Sequence, residues 1–177
     1  MTQLYPIPLR KLLVSHPAHF ISLGFGSGLS SKAPGTCGSL VAVPFLPYFW
    51  TLSPAIAIFL ICIGFGFGVW CTGKTAQAMM TDDPGAIVWD EVIGMLITAF
   101  PVIAVKNWTA LELSTSVYTV AYHSLVVFVL FRFIDILKPF PVAWADRKYH
   151  GGFGIMFDDF LAGVLASFIF VLFLFLI

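Results

Sequence analysis

The chain has 177 residues, of which 59% are hydrophobic and 10% charged, with a formal net charge of zero and a mean hydropathy of +0.97. An ordinary soluble domain carries roughly 25% charged residues, so this composition excludes that class and predicts an integral membrane protein. Zero net charge leaves no footprint for nucleic acid, and the length suits one compact domain spanning residues 1–177.

In chain order, M-T-Q-L-Y-P-I-P-L-R-K lacks an apolar run followed by a small-residue cleavage site, so no cleaved signal peptide is expected. Residues 9–25 are weakly amphipathic and interrupted by Pro17. They predict an interfacial helix after the proline, with His16 and His19 at the lipid–water boundary. Gly24–Ser39, reading G-F-G-S-G-L-S-S-K-A-P-G-T-C-G-S, is rich in glycine and serine. Two readings stand for it: a loop whose amides approach an anion, or a tight connection between helices. No G-K-[ST] closes it and no G-x-G-x-x-G is present, so neither nucleotide fingerprint applies.

Residues 40–71 are apolar throughout, longer than one helical crossing of a roughly 30 Å core. Pro44, Pro47 and a turn at Thr51–Pro54 predict a hairpin with a short, kinked first arm and a clean second segment, Ala55–Cys71. Gly64, Gly66 and Gly68 would let a neighbouring helix approach. Cys37, Cys62 and Cys71 are odd in number without C-x-x-C spacing, and read as small buried hydrophobes.

A second polar stretch, Thr72–Glu91, ends D-D-P-G-A-I-V-W-D-E. Asp82 and Asp83 before Pro84 fit a capping turn. Asp90 and Glu91 stand at the entrance to the apolar run 92–105 with no basic residue nearby in sequence. A helix dipole accounts for one acid there; two adjacent acids call for a cation. Lys106 and Glu112 mark a polar turn, residues 114–134 form the next span, and His123 within it reads as a packing residue.

The third polar stretch, Phe131–Asp159, holds four of the nine acids and four of the nine Lys and Arg residues. Charge at that density in an apolar chain persists where it is paired, hydrated or functional. Phe160–Ile177 is the final apolar helix, which Asp158 and Asp159 are expected to open. The fold expected is all-α: a polytopic membrane helical bundle of about five apolar segments, with the polar loops converging on one face. That face would carry every Lys and Arg except Lys106, and every acid except Glu112, which by the positive-inside rule makes it cytoplasmic.

Arg132, Asp135 and Lys138 are spaced to share one helix face before Pro139. Several carboxylates without thiolates suit a hard cation, with Mg²⁺ preferred and Mn²⁺ the second choice. Arg, Lys and a Gly/Ser stretch beside them suit phosphate. A metal bridging carboxylates and a phosphoryl group serves phosphoryl transfer; mutual salt bridges closing a bundle end are the plainer alternative.

Four motifs then occur in order: G-F-G-S-G-L-S-x-x-x-P-G-T-x-G-S-L, I-V-W-D-E-x-I-G-M, F-R-x-x-D-I-x-K-P-x-P and D-R-x-x-H-G-G-x-G-I-M-x-D-D-x-x-A-G. Together, over about residues 20–163, they closely resemble the phosphatidylglycerophosphatase A family. Where the family motif carries Pro after G-S-G-L-S this chain has Ser31, which alters loop stiffness and removes no polar group. The resemblance implies a Mg²⁺-dependent lipid phosphatase, multi-pass in the bacterial inner (cytoplasmic) membrane with its active site facing the cytoplasm. It would convert phosphatidylglycerophosphate to phosphatidylglycerol and phosphate, in phospholipid biosynthesis. Its partners would be that lipid and the surrounding membrane lipids, with a homo-oligomer left open.

The roles expected follow from both readings. Asp90, Glu91, Asp135, Asp158 and Asp159 supply the metal site, narrowed to Asp135 and one member of each adjacent pair. Lys32, Arg132, Lys138 and Arg147 hold the phosphate, with Thr36 and Ser39 as donors. Asp135, Asp159 and His150 are the catalytic candidates, His150 as proton donor to the leaving alkoxide. A metal-activated water is preferred as nucleophile, since Cys-x5-Arg and D-x-D-x-[TV] are absent; an aspartyl-phosphate at Asp135 is the alternative. Trp89, Trp144 and Tyr149 are expected at the interface. The D-G-x-x-A-R pattern of CDP-alcohol phosphotransferases and the P-S-G-H stretch of PAP2-type phosphatases are missing. A scaffold would spare lipid turnover on substitution of Asp135 or Asp159, and a transporter would place its charges near the midplane.

Overall fold

The computed structural model describes residues 6–82, 84–108 and 117–176, and the described residues are helical with no β-strand among them. Two short helices, α1 (Leu9–Ser15) and α2 (Pro17–Ser22), meet at His16, whose extended backbone breaks the helix before Pro17. Proline disfavours helical backbone in the residue before it, and its own fixed φ suits the first position of α2. His16 Nδ1 accepts from the Ala18 amide as the cap, and its Nε2 lies 2.8 Å from Lys74 Nζ. His19 is buried, with Nδ1 2.9 Å from Thr75 Oγ1. Burial, with His16 and Lys74 adding to it, lowers the His19 pKa below its ordinary value.

The Gly24–Ser39 stretch divides in two. Gly24–Leu29 is a distorted 3-10 turn, while Pro34–Ala42 is a regular helix, α3, so Thr36 and Ser39 sit on a helix rather than in a loop. Pro34 starts it from a left-handed Ala33. A 3-10 turn, Val43–Phe45, and α4 (Leu46–Phe49) continue the short, kinked first arm. At about 1.5 Å per residue neither α3 nor α4 reaches across a roughly 30 Å hydrocarbon core.

Among the described residues three helices are long and apolar enough to cross a membrane: α5 (Pro54–Met79), α7 (Val117–Leu137) and α9 (Gly151–Leu176). Ser53 caps α5 by accepting from the Ile56 amide, and Pro139 follows the end of α7, where the residue before a proline cannot stay helical. Between them stands α6 (Trp89–Trp108), which opens with Asp90 and Glu91 in its first turn.

α6 is the hub of the fold. It packs on α9, α5, α3 and α7, and its Met95, Ala99 and Ile103 are fully buried among them. The α6–α9 crossing is close because Gly94 and Gly163 face each other: a Cβ on Gly163 would lie 2.7 Å from Gly94 O. Small residues let helix backbones approach in this way where lipid supplies no hydrophobic drive between helices. Thr98 Oγ, also buried, donates to Gly94 O at 2.9 Å.

Two boundaries differ from those expected. α9 begins at Gly151, so Asp158 and Asp159 lie in its body, about two turns in, and do not open it. Two glycines conceal that start because of their low helix propensity, yet Gly152 sits where a Cβ would meet Val69 O and Gly73 of α5. The second difference concerns α5, which runs on past Cys71 through the polar residues Thr72–Gln77. Thr72 and Thr75 turn their hydroxyls back to carbonyls one turn earlier, Gly68 and Cys71, which lets them be buried. Asp83, half of the expected capping turn, lies outside the described residues, as do residues 109–116 with Glu112; the side chain of Lys106 is likewise outside the description.

Candidate active site

The first turn of α6, the end of α7, the short helix α8 (Val142–Lys148) and the first turns of α9 meet at one end of the bundle. Asp90 and Glu91 from α6 and Asp159 from α9 each offer a carboxylate oxygen, and these oxygens lie within 4.8 Å of one another. Asp159 is 3% exposed and Glu91 9%. Glu91 Oε2 is buried with no hydrogen-bond partner among the described residues. Three acids brought this close repel, and buried charge without compensation is costly. Their convergence, with Glu91 and Asp159 buried and Asp90 half-buried, fits a divalent cation, and an all-oxygen donor set fits Mg²⁺ or Mn²⁺.

Two basic side chains frame the acids. Arg132 Nη1 donates to Asp135 Oδ2 at 2.7 Å, three residues on along α7, and lies 3.7 Å from Glu91 Oε1. Arg132 Nε is buried without a hydrogen-bond partner among the described residues, so the guanidinium has donor capacity left. Lys138 Nζ donates to Asp146 Oδ1 at 2.6 Å and to Asp158 Oδ2 at 2.9 Å. It lies just beyond α7 with left-handed backbone, φ +43°, which turns the chain toward α8. Burial works to lower the Lys138 pKa, but the Asp146 and Asp158 carboxylates outweigh that and hold it above its ordinary value.

Beside these groups opens a cavity of about 400 Å³, whose lining includes Asp90, Glu91, Asp158 and Asp159 together with Lys138, Asp146 and His150. Asp82, Tyr149 and Gly154 also line it. α3 closes the far side of Glu91. A Cβ on Gly35 would collide with Glu91 Oε1 and come within 3.1 Å of Arg132 Nη1, and one on Gly38 would lie 2.9 Å from Glu91 Oε2. The two glycines let the α3 backbone press against the Glu91–Arg132 pair, a role the sequence signalled only as a glycine-rich stretch.

The metal candidates thus separate. Asp90, Glu91 and Asp159 converge, while Asp135 turns to Arg132 and Asp158 to Lys138. The narrower expectation, Asp135 with one acid from each pair, differs from this arrangement, because both acids of the α6 pair reach the Asp159 carboxylate. Among the phosphate candidates, Arg132 and Lys138 adjoin the acids. Lys32 and Arg147 are exposed and Thr36 is half-buried, and none of the three lines the cavity. Ser39 is buried, its hydroxyl donating to Gly35 O at 3.0 Å in its own helix. His150 is exposed and lines the cavity.

Asp146 is the residue that sequence reasoning left without a role. Its signal was its place in the D-R-x-x-H-G-G motif, but its partner Lys138 is set by the turn into α8, which residue spacing does not reveal. Trp89 Nε1 donates to Gly64 O at 3.1 Å, packing α6 on α5. Trp144 is 39% exposed, with Lys148 Nζ 4.8 Å over its ring.

No solved structure matches the chain. It is 41% identical to phosphatidylglycerophosphatase A of Escherichia coli (strain K12), over 89% of this chain and 83% of that one. It is 40% identical to phosphatidylglycerophosphatase A of Haemophilus influenzae, over 90% of each. A Bacteroides thetaiotaomicron protein, named provisionally as a phosphatidylinositol-3-phosphatase, is 33% identical over 81% of this chain and 85% of its own. Residues 20–174 match the family Phosphatidylglycerophosphatase A, a span that takes in every side chain of the acid cluster and both of its basic partners. The chain belongs to the phosphatidylglycerophosphatase A family and is a phosphatase.

Proposed function

We propose that this phosphatase hydrolyses the terminal phosphomonoester of phosphatidylglycerophosphate to phosphatidylglycerol and phosphate, using Mg²⁺ held by Asp90, Glu91 and Asp159. The observation that carries the reading is the convergence of those three carboxylates within 4.8 Å, beside Arg132, in a member of this family. Bound there, the cation supplies Lewis-acid stabilisation of phosphoryl charge and makes water more acidic.

The chain's own residues do the remaining work. Arg132, anchored by Asp135, directs its spare N–H groups at phosphate oxygens, for which a planar guanidinium is suited. Lys138 pairs with Asp158 and Asp146 and brings positive charge to the cavity wall. His150, exposed and lining the cavity, is placed to deliver a proton to the departing alkoxide. Asp135 is committed to Arg132, which favours water over an aspartyl-phosphate as the nucleophile's source.

The site faces the cytoplasm of a bacterial inner membrane in this reading, supported by the gathering of Lys and Arg near the polar stretches. The bundle would reach about five apolar segments if α6 and the α3–α4 arm are embedded beside the three long helices. The test is phosphate release from a panel of phosphatidylglycerophosphate, phosphatidylinositol 3-phosphate and phosphatidic acid. Preference for the first supports the assignment. Preference for the inositol lipid moves this chain toward the activity named for its Bacteroides relative.

A further inference from the structure

A second concavity, of about 450 Å³, lies outside the polar site between the α3–α4 arm and α7. Leu40, Val43 and Pro47 form one wall, and Val120, Ala121 and Phe128 face them. Its one polar side chain, Ser124, donates its hydroxyl to Val120 O and offers the groove no free donor.

Both walls lead to the phosphatase site. On α7 the groove residues Val117, Ala121, Ser124 and Phe128 recur at helical spacing, and the same face continues to Arg132 and Asp135, four and seven residues beyond Phe128. The opposite wall starts at the other end of α3, where Gly35 and Gly38 press on Glu91 and Arg132, and becomes apolar from Leu40 onward. At about 1.5 Å per residue the α7 stripe from Val117 to Phe128 is about 16 Å long. An apolar channel that ends one helical turn from a phosphate-binding arginine matches a molecule with an anionic head and a hydrocarbon tail.

We infer that this groove seats one acyl chain of the lipid substrate while its phosphate lies at Arg132 and the carboxylate cluster. The inference rests on the proposed lipid phosphatase activity. It assigns the groove to the substrate, and neither to bulk lipid nor to a second copy of the chain. Leu40 and Leu125, 49% and 59% exposed, leave the groove open along its side, so the lipid enters laterally from the bilayer.

The test uses purified full-length protein in nanodiscs with diacyl phosphatidylglycerophosphate carrying a diazirine in its acyl chain. The cross-links are mapped by mass spectrometry. Labels concentrated on residues 40–47 and 117–128, displaced by unlabelled phosphatidylglycerophosphate and not by phosphatidylcholine, support the groove. Labels spread equally over the exposed faces of α5 and α9, or displaced equally by both lipids, overturn it. Ala121→Trp, which fills the groove, should raise KM for the diacyl lipid at least fivefold and leave turnover of the deacylated, water-soluble headgroup unchanged. Equal turnover of both substrates by variant and wild type also overturns the groove. Wild-type protein that cross-links in the groove yet releases no phosphate sinks the phosphatase reading alone.

Discussion

Gly35 of α3 is in contact with Glu91 of α6, so that a Cβ added to Gly35 would occupy the space of Glu91 Oε1. Arg132 Nη1 would be 3.1 Å from the same Cβ, and Glu91 is held between the two. The glycine is therefore a spacer for the acid cluster. Gly35→Ala should shift Glu91 from Asp90 and Asp159 by enough to lower turnover about 100-fold, the scale on which a 1 Å misplacement acts. The measurement is kcat beside a thermal melt; an unchanged kcat in folded protein contradicts the spacer role.

The three converging acids should differ from the two that pair with basic groups. Asp90→Asn, Glu91→Gln and Asp159→Asn should each weaken Mg²⁺ binding, read by isothermal titration, and cut turnover more than about 100-fold, beyond the loss typical of an outer-shell change. Asp158→Asn keeps an acceptor for Lys138 and should lower turnover by about tenfold, with Mg²⁺ affinity nearly intact. Equal loss of Mg²⁺ affinity across all four would contradict the division.

Lys138 ties α8 to α9 through Asp146 and Asp158. Lys138→Met should cost about 1–3 kcal/mol, the scale of hydrogen bonds to charged groups. Because the folded-state pKa is raised, the contribution is fully present below the unfolded lysine value of about 10.4 and is lost only as pH rises through the folded value. Melts at pH 7, 8 and 9 should thus show the same gap between variant and wild type. A gap that closes between pH 7 and 9 contradicts the assignment.

His19 works in the opposite direction. Its pKa is lowered by burial, so below about 6.5 the unfolded chain binds the proton that the folded one resists. Stability from neutral His19 is present above that value and falls as pH drops through it. His19→Asn should lose less melting temperature between pH 7 and pH 5 than wild type, as differential scanning fluorimetry in detergent will show.

How much of this was legible beforehand varies with the residue. The apolar spans centred on α5, α7 and α9 follow from hydropathy over lengths that only a membrane rewards, and Asp90–Glu91 stood out because an acid pair at an apolar entrance needs a partner. The start of α9 was hidden by Gly151–Gly152, whose helix is imposed by packing on α5 against low local propensity. The helical state of Thr36 and Ser39 was hidden in the same way by the glycines of α3. Which acid meets which partner was not legible, because Lys138–Asp146 depends on a left-handed turn and Asp90–Glu91–Asp159 on the Gly94–Gly163 crossing. Both are tertiary facts that spacing alone leaves open.

The measurement that bears most directly on the central claim is phosphate release from phosphatidylglycerophosphate by purified protein in detergent, with Mg²⁺, after EDTA, and with Mg²⁺ restored, beside Asp159→Asn. The account predicts release with Mg²⁺, its loss in EDTA, its return on readdition, and a fall of more than about 100-fold in the variant. Release that persists in EDTA and in Asp159→Asn, or no release from folded protein with any divalent cation, would contradict it.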